Sequence, residues 1–239
     1  MIPAFANLFT GDLAVYGDRL VLTSDAAPPS AGRDLTDAQR LAELLSAFGK
    51  ARYPGGDRRA IASLWAKQHF ATLLPAFLAV TLIAGRHIDV GIESIGCTFA
   101  DDGVTQKIHL RDAGQPSAPG DTAARLVDLI DGHLDPVTVA LAAIGGVSKK
   151  VIWSNAGNMI DFIVKRIERA LGPTAPIVAA LDLMAARRLA DSRPNPLFDA
   201  VRYLDQTDGP RRVRRVCCIR YLIADLGYCS TCPLPEARP

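Results

Sequence analysis

Residues 58–85 read RRAIASLWAKQHFATLLPAFLAVTLIAG and contain the longest apolar run of the chain. Asp57 precedes the segment as a predicted N-cap, and Trp65 lies on its apolar helical face. The strongly apolar part, Phe70 to Gly85, is interrupted by Pro75 and is shorter than the roughly 20 residues that span a bilayer. We therefore predict a helix buried in a protein core, with Trp65 as a core residue and no membrane span.

The composition around this segment is that of a globular protein. The chain has 239 residues, 49% of them hydrophobic, and a formal net charge of +2. This is enough apolar material for a core without disulfides. The near-neutral charge and the small share of aromatic residues argue against a nucleic-acid partner. Residues 1–21 lack the features of a signal peptide, so we expect a cytoplasmic protein in which clustered cysteines bind metal or do redox work.

Patterning on either side of the central segment predicts helices and one hairpin. Thr36 and Gln39 form a capping-box signature ahead of a helix. Downstream, His87–Phe99 and Val104–Leu110 are rich in β-branched residues, and the turn sequence at 101–103 separates them. These two stretches predict a β-hairpin.

The second half of the chain shows helical periodicity almost throughout. Residues 113–120 (AGQPSAPG) predict a flexible connection, and helices follow after Asp121 and after Asp135, then over Ser148–Leu171 and Thr174–Leu189. The predicted fold class is α+β, helix-rich with a small antiparallel β-sheet. We expect one compact unit made of three segments: an N-terminal helical part with the hairpin (1–112), a second helical part (121–208) and a C-terminal cysteine segment (209–239).

Four of the five cysteines lie close together near the C-terminus: Cys217, Cys218, Cys229 and Cys232. A CxxC pair brings two thiolates within reach of one metal centre. Cys217 and Cys218 are adjacent, and neighbouring side chains diverge in helix and strand alike, so they need an irregular backbone to share a site. Cys97 stands apart in a predicted strand, where we expect a buried small hydrophobe.

Three kinds of site fit these cysteines to different degrees. A structural zinc ion normally uses two CxxC pairs, which the vicinal pair does not supply. A thiol–disulfide switch could use Cys229 and Cys232, but it leaves the vicinal pair without a role. A Cys₄ [2Fe–2S] cluster uses all four residues and is the favoured interpretation.

The run RRVCCIRYLIADLGYCSTCP (214–233) resembles the C-terminal Cys-Cys-x10-Cys-x2-Cys signature of FhuF-type ferric-siderophore reductases. Two upstream stretches are also similar to recurrent segments of that family: RRAIASLWAKQHFATLLPAFLA (58–79) and GGVSKKVIWSNAGN (145–158). The resemblance implies an iron–sulfur oxidoreductase whose [2Fe–2S] cluster is held by Cys217, Cys218, Cys229 and Cys232.

The resemblance also implies a reaction and partners. Such an enzyme transfers one electron to Fe(III) in a hydroxamate-type siderophore and releases Fe(II) in the cytoplasm. Gly145-Gly146 is far from a nucleotide-binding GxGxxG, so electrons are expected from a ferredoxin or a flavoprotein reductase. The alternative is a non-catalytic siderophore-binding or metal-sensing protein with a structural Cys₄ site.

Cationic, aromatic and amide side chains supply the candidate substrate contacts. The predicted set is Lys149, Lys150, Trp153, Asn155, Arg214 and Arg215. The arginines around the vicinal cysteines could instead pair with Asp205, Asp208 and Asp225, and the lysines could form a solvated face. The four histidines (His69, His87, His109 and His133) have no metal-ligand spacing, and we expect them at the surface or as satisfied core residues.

Overall fold

A computed structural model describes residues 2–23, 30–207 and 209–234. Asp208 and the last five residues of the predicted cysteine segment, 235–239, lie outside these ranges. The described residues contain six α-helices: α1 (Ala38–Arg52), α2 (Arg58–Leu82), α3 (Thr122–Leu129), α4 (Asp135–Gly145), α5 (Lys149–Leu171) and α6 (Ala175–Ala185). Short 3₁₀ turns and one π-helical turn, Ile130–Leu134, join these elements.

The central segment forms one continuous helix, as the sequence predicts. Helix α2 has 25 residues and passes through Pro75 without a break. Trp65 is fully buried, and its indole N–H donates a hydrogen bond of 2.8 Å to the carbonyl of Gly103 in the hairpin turn. Helix α2 packs against α1, α4, α5 and the sheet, so it is the centre of the core. In the described residues, none of the helices has both the length and the apolar character needed to cross a membrane.

The main sheet has four short strands in the order β1-β5-β4-β2, namely β1 (Leu20–Leu22), β2 (Ser30–Ala31), β4 (Gly96–Phe99) and β5 (Thr105–Leu110). The predicted hairpin is β4 and β5, which pair antiparallel around residues 101–103. The sheet is mixed rather than antiparallel, because β1 pairs parallel to β5. A strand of three residues is too short to show an alternating pattern, so the sequence did not reveal it.

Two smaller pairings complete the β-structure. β3 (Arg86–His87) pairs with β6 (Gln115–Pro116), which lies in the stretch predicted to be a flexible connection. Of the predicted strand 87–99, only the end, Gly96–Phe99, pairs with β5. β7 (Val201–Leu204) and β8 (Arg211–Arg214) form an antiparallel hairpin that leads into the cysteine segment.

Side-chain caps set three helix starts. Asp57 is the N-cap of α2, as predicted, and Ser148, where the sequence predicts the long helix to begin, is the N-cap of α5. The predicted capping box at Thr36 is wrong: Asp37 caps α1 by accepting the N–H of Arg40 at 2.8 Å, while the Thr36 hydroxyl donates back to the carbonyl of Arg33. Aspartate is as good an N-cap as threonine, and here it stands one residue later.

Helix α6 ends at Ala185, earlier than the predicted Leu189. The side-chain amide of Asn195 donates to the carbonyls of Leu183 and Ala186, at 2.7 and 2.9 Å. These bonds satisfy the terminal carbonyls that a longer helix would have used. A distant amide therefore ends the helix, which periodicity cannot reveal.

Two buried histidines form an ordered chain of hydrogen bonds within the core. His133 Nδ1 lies 2.7 Å from the Val90 carbonyl, the two Nε2 atoms of His69 and His133 are 2.8 Å apart, and His69 Nδ1 is 2.9 Å from the Thr105 hydroxyl. Because the carbonyl only accepts, His133 donates to it, His69 donates to His133 and Thr105 donates to His69. Both rings are satisfied when neutral, as expected for core histidines.

Candidate iron–sulfur site

The four clustered cysteines come together beside the N-terminal halves of α2 and α5. Cys217 and Cys218 follow β8, a 3₁₀ turn (Arg220–Leu222) comes next, and Cys229 and Cys232 follow it. The sulfurs of Cys217 and Cys232 are 3.8 Å apart, and those of Cys218 and Cys229 are 3.7 Å apart. Cys218 and Cys232 are buried, whereas Cys217 and Cys229 are half-buried.

These spacings suit cysteines that share an iron in pairs. Two sulfurs bound to one tetrahedral metal at about 2.3 Å lie about 3.8 Å apart. Among the described residues, no group of three or more His, Cys, Asp or Glu side chains is placed to hold one metal ion. The two close pairs match the donor set of a [2Fe–2S] cluster, in which each iron takes two cysteines.

The backbone at the vicinal cysteines is irregular, as predicted for two adjacent ligands. Ile219 has a φ of 52°, in the left-handed region that β-branched residues rarely adopt. Its N–H donates to the sulfur of Cys217 at 3.3 Å. The sharp turn lets Cys217 and Cys218 face different partners, Cys232 and Cys229.

Serine and asparagine side chains of two helices hold the vicinal cysteine segment in place. Ser63 of α2 donates to the carbonyl of Cys218 at 2.8 Å, and Ser154 of α5 donates to that of Val216 at 2.7 Å. Asn155 of α5 donates in turn to the hydroxyl and the carbonyl of Ser63, both at 3.0 Å. The segment is therefore attached to both central helices.

Arg214 links this network to the CxxC loop. It is 3% exposed and donates to Asn155 Oδ1 at 2.6 Å and to the Thr231 hydroxyl at 3.2 Å. Its own backbone N–H donates to the Thr231 carbonyl at 2.8 Å. The Thr231 hydroxyl lies 3.8 Å from the sulfur of Cys229. A buried guanidinium is thus fixed directly behind the cysteines.

The thiols of the site differ in acidity. The hydrogen bond from Cys218 lowers the pKa of Cys229 to about 5, and the same contact with burial raises the pKa of Cys218. Burial raises the pKa of Cys217 to about 11. Cys229 is therefore a thiolate at neutral pH, and its negative charge interacts with the buried guanidinium of Arg214.

Lys67 is a second cation, and its charge interacts with those of Cys218 and Cys229. It lies one turn after Ser63 on α2, and it is half-buried. Burial lowers the pKa of Lys67, while the charges of Cys218 and Cys229 raise it. No carboxylate of the described residues forms an ion pair with it. Lys67 and Ser63 were not predicted as site residues, although two polar residues four apart lie on one face of a helix and are a detectable signal.

The other arginines of the region have partners that the sequence analysis did not name. Arg212 pairs with Asp161 at 2.7 Å, and Arg215 with Asp199 at 3.0 Å. Asp161 lies on α5, and Asp199 precedes β7 by two residues. The predicted partner Asp208 lies outside the described residues.

The structure separates the six predicted substrate contacts into two groups. Lys149, Lys150 and Arg215 are exposed, and Trp153 is half-buried against the core. Asn155 and Arg214 are buried and bond to each other. Lys150 lies four residues, about one helical turn, before Ser154, whose hydroxyl donates to the cysteine segment.

Cys97 and the remaining histidines stand apart from the site. Cys97 is fully buried in β4, as predicted, and burial raises the pKa of its thiol to about 12. His87 is exposed, and His109 is half-buried with its Nε2 2.7 Å from the Thr98 hydroxyl.

Comparison with known proteins agrees with this geometry. Residues 63–210 match the family model "Ferric iron reductase FhuF-like transporter", and residues 214–234 match "FhuF 2Fe-2S C-terminal domain". The chain is also similar to the ferric siderophore reductase of Escherichia coli K12, with 28% identity over 179 residues. The match covers 74% of this chain and 67% of that protein. The second family match contains all four clustered cysteines.

Proposed function

We propose that this chain, which belongs to the FhuF-like ferric iron reductase family, reduces Fe(III) in a hydroxamate-type siderophore by one electron. It is an oxidoreductase that acts on iron and carries a [2Fe–2S] domain at its C-terminus. The carrying observation is the pair of 3.7–3.8 Å sulfur contacts, which offers two cysteines to each of two irons. The proposed ligands are Cys217, Cys218, Cys229 and Cys232.

The chemistry asks little of the protein beyond placement. The bound cluster supplies single electrons at a potential set by charge, hydrogen bonds and exposure. Hydroxamate oxygens are hard anionic ligands that hold Fe(III) far more tightly than Fe(II), so one electron loosens the chelate. The protein therefore has to bring the ferric chelate near the exposed side of the cysteines.

Exposed side chains around the cysteines provide a surface for the chelate. The rings of Tyr221 and Tyr228 are each 40% exposed and their centroids are 5.5 Å apart. We propose that Lys149, Lys150 and Arg215 contribute charge, with Trp153 at the edge. For Asn155 and Arg214 we propose support of the cysteine segment in place of substrate contact, because both are buried.

The remaining partners follow from the same chemistry. We propose a ferredoxin or a flavoprotein reductase as electron donor, and the cytoplasm as the compartment, where thiolates are kept reduced.

Anaerobic purification followed by absorption and EPR spectroscopy tests the proposal. We expect a reduced [2Fe–2S] signal after dithionite, and its loss on adding a ferric hydroxamate as the chelate loses its ferric colour and Fe(II) appears. A ferric catecholate serves as the comparison for ligand class, and equal rates with both would contradict the hydroxamate assignment. A zinc protein without an EPR signal after reconstitution would contradict the reductase and favour a structural Cys₄ site.

A further inference from the structure

An apolar cleft opens between α1 and the start of α2, and it is termed the α1–α2 cleft below. Its volume is about 530 Å³, and ligand sites in proteins usually measure about 300 to 1,000 Å³. Helix α1, the 53–56 connection, the first turn of α2 and the end of α4 form its walls. The mainly apolar lining residues are Ala42, Leu45, Gly49, Tyr53, Ile61 and Ile144.

The α1–α2 cleft adjoins the cysteine segment at two points. Gly56 also lines the cleft, and a Cβ added to it would lie 2.6 Å from Ile223 Cδ1, so the two residues are in contact. Ile223 directly follows the 3₁₀ turn of the cysteine segment, and that turn packs against α2. Ile61 is two residues before Ser63, whose hydroxyl donates to the Cys218 carbonyl. A helix is about 10 Å across, so a ligand in the cleft lies roughly one helix diameter from the cysteines.

The charged residues that line the cleft are both cations, Lys50 and Arg58. Both are exposed, and neither forms an ion pair with a carboxylate of the described residues. Arg58 also lies against Gly146, because its Nη2 would be 2.8 Å from a Cβ added there. Lys149 and Lys150 begin α5 three and four residues later. The positive charge of the cleft therefore continues into the lysines proposed above as substrate contacts.

A second cleft of similar size has the opposite charge and a different position. It lies between α3 and α6 and has a volume of about 630 Å³. Three of its lining residues are aspartates, Asp128, Asp182 and Asp191, against one arginine, Arg188. Its lining includes no residue of α2 or of the cysteine segment. Positive charge and contact with the cysteine segment therefore distinguish the α1–α2 cleft, whereas size and apolar walls do not.

We propose, on the basis of the proposed function, that the α1–α2 cleft binds the ferric chelate and that Lys50 and Arg58 favour hydroxamate chelates with free carboxylates. The apolar walls suit the hydrocarbon arms that connect hydroxamate groups. The two cations attract carboxylates that are not bound to the iron, because opposite charges across an interface favour association.

Gallium(III) complexes test this binding without electron transfer, because Ga(III) has the charge of Fe(III) and is not reduced. Isothermal titration calorimetry of the full-length holoprotein would compare a citrate-based dihydroxamate, which carries carboxylates, with a trihydroxamate that has none. We expect Arg58→Gln and Lys50→Gln each to weaken binding of the first complex about fivefold and of the second about twofold or less, the scale of an exposed ion pair. Lys107→Gln, at an exposed lysine of β5 outside the cleft, is the matched control and should bind both complexes as the wild type does.

A filled cleft tests the location of the site. Ser46 lines the cleft and is exposed on α1, so Ser46→Trp occupies the cleft without entering the core. We expect it to prevent binding of both complexes. Gln39→Trp, at an exposed residue of the first turn of α1 outside the cleft, should bind both normally. In turnover with ferric chelates, Arg58→Gln should raise KM for the carboxylate-bearing chelate at unchanged kcat.

The outcomes separate this inference from the proposed function. Wild-type affinities in Ser46→Trp, or an Arg58→Gln variant whose affinity changes equally for both complexes, would overturn the inference alone, because ferric hydroxamates would still oxidise the reduced cluster. A wild-type reduced cluster that no ferric hydroxamate oxidises would overturn the proposed function and the inference together.

Discussion

The pKa of Cys229 is lowered to about 5, and Cys229 is the half-buried member of its pair. Alanine at this position removes the sulfur and offers no replacement ligand. We expect Cys229→Ala to lose the [2Fe–2S] absorption and EPR signal while its far-UV circular dichroism stays that of the wild type. The helical body should persist because its core is formed largely by residues before the cysteine segment.

Cys97→Ala is the matched control for that substitution. Of the five cysteines, Cys97 is the one outside the clustered motif, and it lies in β4. Its replacement should leave the iron content unchanged. Full cluster absorption in Cys229→Ala would contradict the ligand assignment.

The histidine pair makes the fold sensitive to acid. Burial lowers the pKa of His133 to about 4 and holds the pKa of His69 well below 6.5. Since these folded-state values lie below the unfolded value, the neutral rings stabilise the fold above pH 6.5, and that stabilisation is lost as the pH falls towards 4. We expect the free energy of unfolding to drop by about 2 kcal/mol from His133 alone between pH 7 and pH 5.

Urea denaturation at a series of pH values checks this expectation. His87→Gln, at an exposed histidine, should show the same pH dependence as the wild type. A free energy of unfolding that is constant between pH 7 and pH 5 would show that neither buried ring resists protonation.

At the scale of single residues, the sequence predicted which residue types form the site better than it predicted which residues contact each other. The four cysteines and the need for an irregular backbone between them were predictable, because sulfur chemistry and side-chain direction are local. The bond between His69 and His133 was not, because 64 positions separate the two rings and neither carries a motif.

At the scale of elements, α2 and α5 form the support on which the cysteine segment rests. Asn155 connects them, because it bonds Ser63 of α2 and Arg214 of the segment. We expect Asn155→Ala to lower the free energy of unfolding by about 2–3 kcal/mol, since it removes the shorter of the two side-chain hydrogen bonds of a buried guanidinium and leaves that donor unpaired. The cluster should also be lost faster to an iron chelator.

Asn158→Ala on the same helix is the matched control. Asn158 is half-buried, and Arg212 keeps Asp161 and the Asn158 carbonyl as acceptors after the substitution. The free energy of unfolding should change by less than about 1 kcal/mol. Equal chelator sensitivity in both variants would show that the Asn155 network does not support the cluster.

Element types could be predicted wherever helical periodicity extended over many residues or a capping residue preceded the helix. The start of α2 was predicted from its local cap, Asp57, and the start of α5 from the helical pattern that begins at Ser148. The parallel partner of β5 and the early end of α6 were not, since both depend on chain segments brought in by tertiary contacts. The same limit applies to Lys67, because the cysteines whose charges act on it lie about 150 residues later in the sequence.

For the whole molecule, the apolar core runs from Ile2 to Ile223 and contains residues of every helix. Beyond β8 the chain adds Ile223 to this core and packs the partly buried Val216, Ile219, Leu222 and Leu226 against it. The hydrogen bonds of Ser63, Ser154 and Arg214 and the proposed iron–sulfur bonds are its other attachments. We expect removal of the cluster to leave the helical circular dichroism intact and to make the C-terminal segment susceptible to trypsin.

Limited proteolysis before and after cluster removal measures this effect. Cleavage should appear after Arg215 and Arg220, which flank the vicinal cysteines, and the helical body should resist. Equal resistance of the two forms would show that the segment is held by protein contacts alone.

The close sulfur contacts also have a consequence for biogenesis. Each contact joins one cysteine of the vicinal doublet to one of the CxxC loop, so in the proposed site neither iron has two ligands until both halves of the motif have been made. A nascent chain that has emerged only as far as Cys218 then has no half-built centre to capture a stray metal. Assembly of the proposed cluster begins only after the CxxC loop has emerged.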